Sequence, residues 1–132
     1  GAAAALQAAV FQRLTADSAI TALVGGAIHD SVPPGNTAGT YVSIGPEDAL
    51  DASSQTSQGA SHDFVVSVVT DQPGFEAAKS IAAAVSDALT GATLVLSRGH
   101  LLGLWFLRAR ARRVGQGSVR RIDLSFRARI ED

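Results

Sequence analysis

The chain has 132 residues, of which 46% are hydrophobic and 17% charged, with no cysteine and a formal net charge of −1. This length predicts a single domain over residues 1–132, large enough to bury a core without disulfides or a structural metal. A near-neutral charge argues against a free-standing, non-specific nucleic-acid binder. The apolar stretches are too short to cross a bilayer, and no basic segment precedes the first one, so neither a membrane span nor a secretory signal is expected.

Charge is divided unevenly along the sequence. Residues 1–97 hold nine acids against Arg13 and Lys79, a net charge of −7, whereas residues 98–132 hold nine arginines against three acids, a net charge of +6. A molecule that is acidic over one part and basic over another is suited to packing against copies of itself or against charged neighbours.

Two helices are predicted at the start of the chain. Residues 2–15 are rich in alanine, the best helix former, and Asp17 is a suitable N-cap for a short second helix that Gly25 and Gly26 end. The apolar stripe of the first helix is Leu6, Val10, Phe11 and Leu14, and that of the second is Ile20, Leu23 and Val24.

The middle of the chain predicts strands over residues 27–32, 40–44 and 61–70. The segment between the last two, residues 46–60, is acidic and then rich in serine and glutamine, which predicts a mobile loop. Pro73 suits the first turn of a helix that ends at Gly91. The predicted inner stripe of this helix is Phe75, Ala78, Ile81, Ala82, Val85 and Leu89, and residues 93–96 are a candidate edge strand.

The last 32 residues predict a long β-hairpin with one apolar and one basic face. With Gln116 and Gly117 as a two-residue turn, Leu107, Ala109 and Ala111 lie opposite Phe126, Leu124 and Ile122. Arg108, Arg110 and Arg112 then lie opposite Ser125, Asp123 and Arg121. A slip of one residue would place arginines in the core, so the register is well specified.

The basic face has two interpretations, a solvated sheet surface or a surface that meets a polyanion or an acidic partner. Trp105 shares the parity of the apolar positions and is predicted in the core, whereas Phe106 falls on the arginine side, as in an interface patch. The predicted core residues are Phe11, Leu14, Ile81, Val85, Trp105, Leu107, Leu124 and Phe126. The fold class is α+β, with two layers: an antiparallel or mixed sheet, ending in the long C-terminal hairpin, and helices packed on one face.

No pattern for catalysis or metal binding is present. His29, His62 and His100 lack a second ligand at metal-binding spacing, and the sequence has no cysteine nucleophile and no nucleophile elbow around a serine. The acids of the 46–60 segment lack the spacing of a calcium loop. We therefore expect no catalytic residue, no metal and no cofactor.

Five segments carry a resemblance to a known family: LQAAVFQRLTADSAITALVGGAIHDSVPPG, YVSIG, HDFVVSVVT, GFEAAKSIAAAVSDAL and RRIDLSFRARIED. Together they resemble the tail-completion or tail-terminator proteins of long-tailed phages and bacterial gene transfer agents. The resemblance implies a non-enzymatic, bacterially made structural protein at the tail–neck junction of a particle. It implies a hexameric ring that caps the head-proximal end of the tail tube, contacts the tube protein and the neck stopper, and lets DNA pass through its lumen without sequence recognition.

Two hypotheses follow, the structural ring protein and, as the alternative, a small nucleic-acid-binding module that uses the arginine face. The interface or lumen candidates are Arg108, Arg110, Arg112, Arg127, Arg129 and Phe106. The assembly-loop candidates are Glu47, Asp48, Asp51, Gln55 and Gln58.

Overall fold

The computed structural model describes residues 1–34, 37–45, 51–56 and 59–131, with the backbone alone described over 51–56. The helices are α1 (Ala2–Thr15), α2 (Ser18–Val24) and α3 (Glu76–Leu89). The strands are β1 (Ile28–His29), β2 (Thr40–Ile44), β3 (Asp51–Thr56), β4 (Gly59–Thr70), β5 (His100–Val114) and β6 (Val119–Glu131).

The described strands form one mixed sheet in the order β1-β2-β4-β6-β5, and β3 also pairs with β4. The β1–β2 pair is parallel and every other pair is antiparallel. All three helices lie on one face, with α3 against β4 and β6 and with α1 and α2 against α3. The predicted two-layer α+β fold is confirmed.

The core lies between the helices and the inner face of the sheet. Phe126 is fully buried, and its ring stacks on that of Phe64 with 5.4 Å between centroids. Of the predicted core residues, Leu14, Ile81, Val85, Leu124 and Phe126 are buried and Phe11 packs against the core. The inward positions of β6 are all buried, as the alternation predicted: Ile122, Leu124, Phe126, Ala128 and Ile130.

Individual residues determine where α2 and α3 begin and end. Asp17 caps α2 as predicted, because its Oδ1 accepts a hydrogen bond from the Ile20 N–H at 3.0 Å. Gly25, at φ 61°, ends that helix in a conformation that glycine adopts without steric cost. The prediction that Leu23 faces inward is wrong, since its side chain is 48% exposed. The third helix begins at Glu76 instead of Pro73, because Gly74 at φ 75° interrupts the chain between them.

The predicted loop over residues 46–60 is wrong for the part of it that the structure describes. Asp51–Thr56 form β3, and β4 begins at Gly59. The start of β4 extends beyond the end of β2, and β3 pairs with this length of it. Main-chain hydrogen bonding, which needs no apolar side chain, explains why so polar a segment is a strand.

Two smaller strand predictions also need correction. The strand predicted over residues 27–32 is only Ile28–His29, and residues 93–96 are not a strand. Leu94 and Leu96 are buried even so, as part of the core, which accounts for the apolar pattern that suggested a strand.

The turn of the hairpin is longer than predicted, although residues 108–114 keep the predicted register; the predicted Leu107–Phe126 pair is wrong, since Phe106 pairs with Phe126. Val114 and Val119 form the last pair, and residues 115–118 make the loop. Gln116 and Gly117 both have positive φ, 59° and 88°. A glycine at the second of these positions avoids the strain that a side chain would add there.

Candidate assembly interface

The sheet face opposite the helices, here called the outer face, carries the arginine row of the hairpin. The predicted pairs along this face are confirmed: Arg108–Ser125, Arg110–Asp123 and Arg112–Arg121. Side chains directly opposite each other on paired strands lie on the same face of a sheet, so these six side chains share one surface.

A β-bulge at Leu107 changes the alternation of β5 in the middle of the strand. Phe106 pairs with Phe126, and Arg108 pairs with the adjacent residue Ser125, so Leu107 has no partner of its own on β6. The extra residue reverses which side chains point inward. Phe106 therefore lies on the helix side of the sheet, with its ring centroid 5.8 Å from that of Phe126.

Upstream of the bulge, Trp105 and Phe106 each lie on the face opposite to the one that the sequence predicted. Trp105 lies on the outer face opposite Arg127 and is 48% exposed, so its predicted place in the core is wrong. Phe106 is 40% exposed, but the prediction that it shares the arginine side is wrong. Leu107 is only partly buried and is not a core residue. The Trp105 ring lies over Gly103, where a Cβ would approach it to 2.5 Å.

Two of the candidate arginines are held by β4. The Arg127 guanidinium binds Asp63 through two parallel hydrogen bonds, Nε to Oδ1 at 2.8 Å and Nη2 to Oδ2 at 2.9 Å. Arg129 donates to the Ser61 hydroxyl at 3.1 Å and to the Gly59 carbonyl at 3.3 Å. These contacts join β6 to β4 across the outer face.

Asp123 neutralises two more arginines at the centre of the face. Its Oδ1 accepts from Arg121 Nε at 2.9 Å and from the hydroxyl of Ser67 at 2.7 Å, and its Oδ2 accepts from Arg112 Nη2 at 3.2 Å. Arg121 also donates to the Ser67 hydroxyl at 3.1 Å. Ser67 is fully buried, so this cluster is anchored in the sheet.

Arg108 and Arg110 are the members of the row that remain unneutralised. Both are exposed, and neither makes a hydrogen bond or an ion pair with any described residue. They line a shallow concave patch together with Val65, Arg112, Arg121, Asp123 and Ser125. This patch has four guanidinium groups against one carboxylate and can accept anionic groups from a partner.

Replacing Asp123 by asparagine is expected to lower the free energy of unfolding by roughly 1–2 kcal/mol, because two guanidinium groups lose their carboxylate. Asp63→Asn is the matched control: the Arg127 pair is more exposed, with 44% and 29% of the two side chains accessible. An exposed pair contributes about 0–1 kcal/mol. Urea denaturation of both variants measures the difference, and an equal or larger loss for Asp63→Asn would contradict the central role of Asp123.

The structure describes two of the five assembly-loop candidates. Asp51 and Gln55 belong to β3, where they pair with Asp63 and Ala60 of β4. Glu47, Asp48 and Gln58 lie outside the described residues. The loop prediction for Asp51 and Gln55 is therefore corrected to a strand.

Metal binding and membrane insertion are considered for the described residues alone, 1–34, 37–45, 51–56 and 59–131. Among them, no group of three or more histidine, aspartate or glutamate side chains is placed to hold a metal ion. None of the helices described above is long and apolar enough to cross a membrane.

The fold and its outer face define a small α+β domain with a charged sheet surface. The chain belongs to the family of the tail completion protein gp17, whose model matches residues 8–131. This is a family of virion structural components and not of enzymes.

Solved structures agree with this assignment. A chain in the structure described as "Virion of native gene transfer agent (GTA) particle" is 66% identical, with a TM-score of 0.88, and the match covers 100% of this chain and 98% of that one. A second solved chain, 17% identical, matches with a TM-score of 0.61 over 98% of this chain and 95% of its own length, which shows the same fold. No curated protein matches the chain in sequence.

Proposed function

We propose that this chain is a structural protein of a gene transfer agent particle, where it forms a ring at the head-proximal end of the tail tube. The observation that carries the proposal is the 66% identity, over the whole chain, to a chain of a gene transfer agent virion. The ring is hexameric, joins the tube protein to the neck stopper, and surrounds the DNA without reading its sequence. No catalytic residue, metal or cofactor takes part.

The outer face supplies the contact surface in this proposal. Arg108 and Arg110 have no carboxylate partner among the described residues, so they are available to a neighbour. The acid-rich first 97 residues of an adjacent copy, with a net charge of −7, can supply that partner. The candidate acids are Glu47, Asp48 and Asp51. Arginine suits this role because its planar guanidinium binds carboxylates through two hydrogen bonds.

Light scattering during gel filtration tests the ring, and a DNA-binding titration at several salt concentrations tests the role of DNA. We expect a monomer at low concentration and a single larger species at high concentration or on isolated tail tubes. We also expect weak DNA binding by the monomer. A protein that stays monomeric on tail tubes and at high concentration would contradict the ring.

The alternative function is a small nucleic-acid-binding module, and the unneutralised Arg108 and Arg110 are the observation that favours it. This alternative predicts tight binding by the monomer with a steep salt dependence, because each neutralised phosphate adds about 0.9 to the logarithmic slope. The same titration therefore separates the two functions.

A further inference from the structure

The distal half of β5 is an open edge of the sheet. Among the described strands β5 pairs only with β6. The segment after α3 covers the edge at one point, where the Gly91 N–H donates to the Leu104 carbonyl at 3.4 Å. No described residue makes such a contact with the edge over residues 108–114. A row of unpaired N–H and C=O groups of this kind is ready to pair with another strand.

Hydrogen bonds elsewhere in the sheet fix which residues of β5 face this edge. The Gly45 N–H donates to the Val65 carbonyl at 2.9 Å, so the main chain of Val65 points towards β2 and away from β6. Val65 and Ser125 are therefore a non-hydrogen-bonded pair, in which each main chain points away from the other strand. The main chain of Ser125 thus points away from β4 and towards β5. The main chain of Arg108, the partner of Ser125, points back to β6, and the direction then alternates along β5. The main-chain groups that face the open edge therefore belong to Ala109, Ala111 and Arg113.

The arginine row excludes a second β5 strand as the occupant. Two β5 edges that paired with each other would bring two rows of exposed arginines together on one face. Like charges directly opposite each other on paired strands are destabilising. The occupant is therefore a different segment, which makes the contact head-to-tail, the kind of contact that closes into a ring.

The same sheet has a complementary strand at its opposite edge. Among the described strands, β3 pairs only with β4, and its sequence DASSQT has one acid and no base. Its six residues are one fewer than the seven of residues 108–114. Since β3–β4, β4–β6 and β6–β5 are all antiparallel, a β3 strand that continued the sheet beyond β5 would run antiparallel to it.

We infer that β3 of a second copy adds to residues 108–114 of β5, so that the sheet continues from one copy to the next. Main-chain hydrogen bonds supply the pairing, and Arg108 and Arg110 select an acidic strand over a basic one. The inference rests on the proposed ring and adds to it the two strands that meet.

Disulfide cross-linking tests the pairing, and the chain is suited to it because it contains no cysteine. Ala111→Cys is combined with one further cysteine at each position from 52 to 56 in turn. Within one copy β5 and β3 are separated by β6 and β4, so their main chains lie about 14 Å apart at ~4.8 Å per strand. That exceeds the roughly 7 Å limit between the Cα atoms of a disulfide, so any disulfide joins two copies.

We expect a ladder of covalent multimers on a non-reducing gel for one or two of the five double variants. The control pairs Ala111→Cys with Ser80→Cys, an exposed position on α3, and is expected to give no ladder. If rings form but none of the double variants gives a ladder above this control, the inference is overturned while the proposed ring stands.

A proline at position 111 tests the main-chain pairing independently. The N–H of Ala111 faces the open edge, so proline there removes no hydrogen bond to β6 and the monomer is expected to keep its fold. Ring formation is expected to be lost, while Ala111→Val, which keeps the N–H, is expected to assemble. Normal rings from a folded Ala111→Pro protein would overturn the inference. If the wild-type chain forms no ring at all, the proposed function fails and the inference fails with it.

Discussion

Arg110→Glu is expected to abolish ring formation while the monomer remains folded. Arg110 is exposed and has no ion-pair partner among the described residues, so the monomer does not depend on its charge. In the ring, the substitution places a carboxylate against the acidic surface of the next copy. A like-charge contact costs several kcal/mol and is repeated at every interface of the ring. Light scattering measures the loss of the ring, and thermal denaturation checks the monomer.

Two further variants keep this result interpretable. Arg110 lies opposite Asp123, so Arg108→Glu, which faces the neutral Ser125, repeats the test without a like-charge pair inside the monomer. Lys79→Glu makes the same change of net charge on an exposed position of α3 and is expected to assemble normally. Loss of the ring in all three variants would mean that net charge, and not the arginine row, controls assembly.

An arginine row in the lumen of the ring and an arginine row between subunits predict different results for these variants. If the arginine row lines the lumen, Arg110→Glu rings should still form and only DNA retention should suffer. The Arg108/Arg110/Arg112→Ser triple variant tests both possibilities together. Normal rings, normal particles and normal DNA retention in that variant would make the row an ordinary solvated surface.

Leu124→Ala is expected to lower the free energy of unfolding by about 2–5 kcal/mol, the second large effect. Leu124 is only 2% exposed and lies among core residues of the inner face, so its truncation leaves a cavity. Urea denaturation measures the change. Leu102→Ala is the matched control, since the same atoms are removed from a side chain that is 51% exposed. We expect that control to change stability by less than about 0.5 kcal/mol.

The two leucines also test the orientation of the hairpin. Equal urea denaturation midpoints for the wild type and Leu124→Ala would mean that the inner and outer faces of β6 are assigned the wrong way round. A larger loss for Leu102→Ala than for Leu124→Ala would carry the same meaning for β5.

The sequence was sufficient for features that are decided locally. The Asp17 cap, the strand Thr40–Ile44 and the register from Arg108 to Arg112 all depend on neighbouring residues or on one tight turn. Upstream of Leu107 the prediction failed, because a bulge adds a residue without any marked change in composition. For this reason Trp105 and Phe106 were placed on the wrong sides.

The hydrogen-bond partners of the outer-face side chains could be identified only from the three-dimensional structure. Asp63 binds Arg127, but the two are far apart in sequence and meet only because β4 pairs with β6. The same pairing brings Ser67 to Asp123. Alternation along one strand identifies which arginines share a face, but it cannot say which of them are already neutralised. That distinction separates Arg108 and Arg110 from the rest.

The bulge at Leu107 also determines what a change of chain length in β5 would do to the outer face. Deleting Leu107 would close the bulge, but Phe106 would still pair with Phe126 and Arg108 with Ser125, so no side chain of β5 would change faces. Trp105 would remain on the outer face opposite Arg127, and the arginine row would be unaffected. Related chains can thus lose this residue without altering the surface that meets a partner, whereas a deletion at a paired position of β5 shifts the register of the residues beyond it.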